Sequence, residues 1–229
     1  MTLSSPGSEF TFMEKPRNSL IKPLLIIFDC DGVLFDSRRA NRLFYNQVLE
    51  EFGRPPLSDK DLEYVHSHTV IQSVDYLFQD DPRREMAQRF RQELDYTPFI
   101  RAMEMEADLI PFLTYIRPRI KTAINTNRTQ TIHQVLKQFG LDGYFDLVIS
   151  ALDVSRPKPD PESLYKILSH FQVKAEACFY VGDSEIDAET ARRAGVPLIA
   201  FKNPGLEATR HVRGFKELQG HLEKQLDLS

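Results

Sequence analysis

Cysteine is nearly absent from this chain. Cys30 and Cys178 are the whole supply, and two thiols cannot build the disulfide framework that staples small secreted domains. Each adjoins an apolar run, so both are expected to be reduced and packed, as free cysteines commonly are. Long apolar runs are missing as well. The longest, Leu24-Leu25-Ile26-Ile27-Phe28, has the length of a strand and falls far short of the roughly 20 residues that span a bilayer. Met1 to Leu20 contains no apolar h-region, so no secretory signal is expected and the cytoplasm is the default location. Nor is there a basic excess. Lys and Arg number 29 against 33 Asp and Glu, a net charge of −4, whereas a general nucleic-acid binder usually carries a basic surface. A small anionic substrate remains compatible, because a metal and a few local cations can make a positive pocket in an acidic protein.

What is present reads as an ordinary soluble globular protein. The hydrophobic share is 41% and the charged share 27%, which suits neither disorder nor a fibre. At 229 residues the chain can form one large domain or a domain carrying a smaller insertion. Its first residues differ from the rest: Ser4-Ser5-Pro6-Gly7-Ser8-Glu9-Phe10 is small and polar. Gly-Ser-Glu-Phe is also what two adjacent common cloning sites encode. Residues 1–19 are therefore expected to be a tag or disordered segment and stand outside the fold argument.

From Lys22 onward a pattern recurs: a short apolar run, an abrupt polar cluster, then a helical segment. Leu24–Phe28 runs into Asp29-Cys30-Asp31-Gly32, and Ile120–Ile124 into Asn125-Thr126-Asn127. Leu147–Ile149 leads through Ser150 to Arg156-Pro157-Lys158-Pro159, and Ala177–Val181 to Gly182-Asp183-Ser184. Pro197–Phe201 ends at Lys202-Asn203-Pro204-Gly205. Continuous apolar runs of this length suit strands buried on both faces of a parallel sheet. Between them, Thr129 to Phe139, Pro161 to Phe171 and Glu185 to Ala194 show helical spacing, the first and last with Gly140 and Gly195 as stop signals. The fold class expected is α/β, a doubly wound, Rossmann-like parallel sheet, with ligands beyond the carboxyl ends of the strands.

One stretch breaks the alternation. Residues 36–106 show little strand signal and much helical periodicity, and are expected to form an all-helical insertion in a core made of 20–35 and 107–229. Leu43, Phe44, Val48, Leu49 and Phe52 fit one helical face. Arg83 to Leu94 reads as a charged helix with Met86, Phe90 and Leu94 turned inward.

The polar clusters carry the chemistry. Asp29 and Asp31 are two apart at a strand end, so both can point to one side, and Gly32 lets the backbone turn. Asp183 closes another strand, with Asp187 one helical turn later. Each cluster alone also reads as an acidic turn or helix cap. Together, several carboxylates at one place repel unless a cation sits among them, and oxygen donors without paired His or Cys point to Mg2+ rather than zinc. Lys158, stiffened between Pro157 and Pro159, presents one ammonium. Thr126 offers a hydroxyl and neighbouring N–H groups to an anion.

Asp29-Cys30-Asp31-Gly32-Val33, Thr126-Asn127, Lys158 within Arg-Pro-Lys-Pro, and Gly182-Asp183-Ser184 with Asp187 resemble the four ordered motifs of the haloacid dehalogenase superfamily. The resemblance runs from about Leu24 to Phe201. It is nearest to the branch of phosphoglycolate phosphatase and β-phosphoglucomutase, and the helical insertion resembles that family's cap. It implies a Mg2+-dependent phosphatase acting on a small phosphorylated metabolite through an aspartyl phosphate. Asp29 would be the nucleophile and Asp31 the acid/base. Mg2+ would be held by the Asp29 and Asp183 carboxylates and the Asp31 backbone carbonyl. Asp187 would orient that shell through water or Lys158, and Thr126, Lys158 and, through its backbone, Asn127 would hold phosphate oxygens. Members that dehalogenate lack the second acid, so Asp31 favours phosphoryl transfer. Arg128 departs from the Lys or small residue common there and adds a cation near the phosphate. Two other classes stay in view: a phosphomutase using nearly the same residues, and a catalytically retired binding module, which would be expected to have lost Asp29, Asp31, Lys158 or Asp183. His66, His68, Arg83, Arg84 and Arg91 are candidates for substrate contact from the cap, although any of them also fits a solvated helix face.

Overall fold

The computed structural model describes residues 24–226; the expectation for residues 1–19 lies outside that range. In chain order β1 (Leu25–Phe28) is followed by a two-residue β2 (Phe35–Asp36) and five helices, α1 (Arg38–Glu51), α2 (Asp59–Ser67), α3 (Val70–Leu77), α4 (Arg84–Glu93) and α5 (Thr97–Ile100). Next come β3 (Glu104–Met105), α6 (Leu109–Ile116), β4 (Lys121–Asn125), α7 (Ile132–Gln138), β5 (Leu147–Ile149) and α8 (Glu162–Phe171). The chain then runs through β6 (Cys178–Gly182), α9 (Glu185–Ala194), β7 (Leu198–Phe201), β8 (Arg210–Val212) and α10 (Phe215–Leu226).

Six strands form one parallel sheet in the order β5-β4-β1-β6-β7-β8. The apolar run of β1 takes a central place, where no side chain meets water: all four are 0% exposed. Burying a side chain of this kind stabilises by roughly 1.5–3 kcal/mol relative to leaving it exposed. Alternation divides the run between two cores. Ile26 and Phe28 pack with Phe112 of α6 and Phe215 of α10, while Leu25 and Ile27 meet Leu164 and Ile167 of α8 and Ala191 of α9. Helices on both faces make the sheet doubly wound, as expected.

Register positions the site. Phe28 lies level with Ile124 on β4 and with Val181 on β6, so Asp29, Asn125 and Gly182 emerge together at one edge. All five helices from α1 to α5 fall within 36–106, and the antiparallel ribbon β2–β3 ties the two ends of that excursion together. In α1, Phe44, Val48 and Leu49 are buried, but Leu43 is 46% exposed. The inward face of α4 also differs from the expected one. Met86 is 58% exposed, whereas Ala87 and Arg91 are buried and Phe90 and Leu94 lie at the margin. The helix turns its i, i+4 stripe at Ala87 and Arg91 inward, and Met86, about 100° round the axis, is left outside.

Candidate active site

Asp29 follows β1, and its backbone N–H donates to the Val181 carbonyl (2.9 Å), which keeps the chain in register one residue past the strand. Lys158 reaches it from the loop before α8: Nζ contacts Asp29 Oδ1 at 2.8 Å and Asp187 Oδ1 at 2.7 Å. The lysine is 3% exposed. Burial alone would pull its pKa down, but the Asp187 and Asp29 carboxylates outweigh that and hold it above its usual range. Nζ also donates to the Tyr180 hydroxyl (3.0 Å), which in turn donates to Asp187 Oδ1 (2.6 Å). No sequence motif marks Tyr180. Its only signal was a hydroxyl in an otherwise apolar, fully buried strand, a polar group that must find a partner.

Asp187 is wholly buried, and both of its oxygens are engaged. Oδ1 receives Lys158 and Tyr180, while Oδ2 accepts from Ser184 Oγ (2.6 Å) and from the Ser184 N–H (3.2 Å). Asp183 sits two residues before α9, its carbonyl held by the Asn203 amide (2.8 Å). Oxygens of Asp29, Asp183 and Asp187 lie within 4.8 Å of one another. Burial and the neighbouring Asp187 charge push Asp29 up to about 7 and Asp183 up to about 9. Burial is the larger cause of both shifts, and the neighbouring carboxylate charge adds to it beyond what Lys158 offsets.

Asp31 faces the opposite situation. Burial pushes its carboxyl up, but the Arg128 guanidinium, bound to it at 2.6 and 2.7 Å, outweighs burial and holds it below its usual range. Thr126 is buried at the same edge. Its N–H is committed to the Ile149 carbonyl (3.0 Å) and its Oγ1 accepts from the Arg128 N–H (3.0 Å), which leaves the hydroxyl hydrogen free to donate. The Asn127 side chain is engaged by backbone groups. It brackets the Lys158 backbone at 3.1 and 3.2 Å and donates to the Ser67 carbonyl of α2 at 3.1 Å, linking the helical excursion to the sheet.

A cavity of about 70 Å3 lies above these groups, bounded by Asp29, Asp31, Lys158 and Arg128 on the sheet side and by aromatic residues such as Phe44 and Tyr96 on the helical side. Of the five cap candidates, His66 and His68 line it. Arg83 and Arg84 turn away to pair with Asp81 and Asp75. Arg91 is buried rather than solvated, donating Nε to Gln88 Oε1 at 2.6 Å beside Tyr96.

The family model for haloacid dehalogenase-like hydrolases matches residues 26–201. The chain belongs to that family. This hydrolase is 28% identical over 207 residues to a phosphoglycolate phosphatase of Rhodobacter capsulatus, covering 84% of this chain and 92% of that protein. Among solved structures, a subfamily IA hydrolase of the same superfamily from Geobacter sulfurreducens superposes with a TM-score of 0.73 at 35% identity, covering 88% of this chain and 97% of that one. The β-phosphoglucomutase of Clostridium difficile shares the fold, with a TM-score of 0.78 at 16% identity over 90% of this chain and 98% of that one. No helix among the described residues is long and apolar enough to cross a membrane.

Proposed function

We propose that this hydrolase is a Mg2+-dependent phosphatase that cleaves a small phosphomonoester through an aspartyl phosphate on Asp29. One observation carries the reading. Four carboxylates, Asp29, Asp31, Asp183 and Asp187, gather at the sheet edge, and among the described residues only two cations form salt bridges with them: Lys158 with Asp29 and Asp187, and Arg128 with Asp31, while Asp183 has no such partner. The deficit of two charges is what one divalent cation supplies, and the donors are all hard oxygens of the kind Mg2+ takes. The raised pKa values of Asp29 and Asp183 support the same inference. Asp29 and Asp183 would hold the ion, with the Asp31 carbonyl, and it would offset charge on the phosphoryl oxygens. Asp187, saturated by hydrogen bonds, positions Lys158 instead.

In the first step an Asp29 oxygen attacks phosphorus, the bond from phosphorus to the ester oxygen breaks, and Asp31, once released from Arg128 and protonated, gives its proton to the leaving alkoxide. In the second step Asp31 takes a proton from water, the hydroxide attacks phosphorus, and the Asp29–phosphorus bond breaks to release inorganic phosphate. Lys158 and the Thr126 hydroxyl steady the oxygens on which charge spreads. Helices α1 to α5 act as a cap that excludes bulk water and shapes the leaving-group side. The relative from Rhodobacter capsulatus, named for phosphoglycolate, supports a small phosphorylated acid as the first substrate to try.

The test is release of inorganic phosphate from a panel of phosphomonoesters. Activity is expected with Mg2+, none with EDTA, and Asp29→Asn is expected to lose at least about a thousandfold in kcat. Indifference to chelation, or a substantially active Asp29→Asn, would overturn the mechanism. Isomerised sugar phosphate in place of free phosphate would make the protein a mutase.

A further inference from the structure

Arg128 grips Asp31 with both arms of its fork: Nε donates to Oδ2 at 2.7 Å and Nη2 to Oδ1 at 2.6 Å. The two side chains are 12% and 13% exposed, and both line the cavity shared with Asp29 and Lys158. A bidentate pair of this geometry engages both carboxylate oxygens and holds the group turned toward Arg128. An acid/base group, by contrast, must present an oxygen to the atom it protonates. The ion pair and the reaction therefore compete for the same two atoms.

The remaining contacts of the guanidinium are long and uncharged, Met103 Sδ and Thr131 Oγ1, each at 3.4 Å. Asp31 is thus its sole anionic partner among the described residues. A phosphoryl group entering the cavity brings anionic oxygens that match the same fork.

We propose that Arg128 is an exchange residue: it neutralises Asp31 in the empty site and passes its fork to the substrate's phosphoryl oxygens, freeing Asp31 to face the leaving group. The proposal rests on the reading of Asp31 as acid/base. Lysine at this position would supply charge without the fork.

Binding of inorganic phosphate in the presence of Mg2+, followed by calorimetry, tests the exchange. Arg128→Gln is expected to weaken phosphate binding by about tenfold or more, the effect of losing a charge-assisted pair. Asp31→Asn is expected to tighten it, because the competitor for the fork is gone. In the Arg128→Gln background that gain should shrink to the through-space effect of removing one charge. Unchanged affinity in Arg128→Gln, or an equal gain from Asp31→Asn in both backgrounds, would overturn the exchange. Should Arg128→Gln fail to fold, Arg128→Lys takes its place, with weaker phosphate binding expected and unchanged binding fatal to the proposal. Turnover by Asp31→Asn is read separately on an alkyl and an aryl phosphate, since the alkoxide needs a proton far more than the phenolate. Equal slowing of both esters would sink the acid/base reading whatever the affinities. Selective loss on the alkyl ester with uncoupled affinities would sink the exchange alone.

Discussion

At Gly32 the backbone takes φ +85°, and a Cβ placed there would lie 2.0 Å from Asp183 Oδ2. The missing side chain is thus what lets the Asp183 carboxylate close against the loop carrying Asp29 and Asp31. Gly182 makes the same concession to Asp187, whose Cβ would lie 2.4 Å from the added atom. Gly32→Ala combines a left-handed strain of about 1–2 kcal/mol with displacement of Asp183. It is expected to weaken Mg2+ binding by at least about tenfold, measured by titration calorimetry, with little change in helix content. An unchanged affinity would show that Asp183 does not hold the ion. At this scale the sequence was legible wherever residue type announces chemistry: an aspartate pair before glycine, a lysine between prolines. Tyr180 and the Arg128–Asp31 pair were not legible, because each depends on closeness between residues far apart in the chain, 97 positions in the second case.

The elements turn those residues into a site through their ends. Helix α9 begins with a capping box: the Asp187 N–H donates to Ser184 Oγ (3.2 Å) while Asp187 Oδ2 accepts from the Ser184 backbone. The cap that starts the helix is therefore the clamp that aims Asp187 at Lys158. Ser184→Ala is expected to cost about 1 kcal/mol of stability, the usual loss for an N-cap, seen as a lower urea midpoint. It is also expected to lower kcat more than it raises KM, since Lys158 loses a fixed partner but the cavity walls stay. A pure stability loss with unchanged kcat would mean that Asp187 needs no clamp. The longer strands were readable because burial on both faces demands unbroken apolar runs. β8 was not: Arg210 and His211 occupy two of its three positions, and an edge strand has no such demand. The β2–β3 ribbon, two residues on each side, is too short for any periodicity to show. Helices α6 and α10 carry apolar spacing, but neither is flanked by a polar cluster that marks it.

Across the whole molecule, the excursion α1 to α5 and the sheet meet over buried charge, and that charge sets how stability responds to pH. Asn127 and the Lys202–Glu106 pair (2.5 Å) hold the two parts together, but neither relieves the repulsion among Asp29, Asp183 and Asp187. With folded values near 7 and 9, Asp29 and Asp183 keep protons that the unfolded chain, at about 3.8, has already released. The folded state then binds more protons, so stability falls as pH rises through these values. His66, lowered by burial from 6.5, gives the opposite slope only below that pH, and the lowered Asp31 and Asp187 act below about 4. The clean window is therefore pH 7 to 8.5. With chelator present, the unfolding free energy is expected to drop there by about 1–2 kcal/mol, a few degrees in Tm. Saturating Mg2+ keeps both carboxylates ionised at every pH in the window, so the slope should vanish while Tm rises overall. Calorimetric scans at matched ionic strength decide it. A metal-free Tm that is flat or climbs from pH 7 to 8.5 would mean that the carboxylates are balanced without the ion, and the charge deficit that points to Mg2+ would be gone.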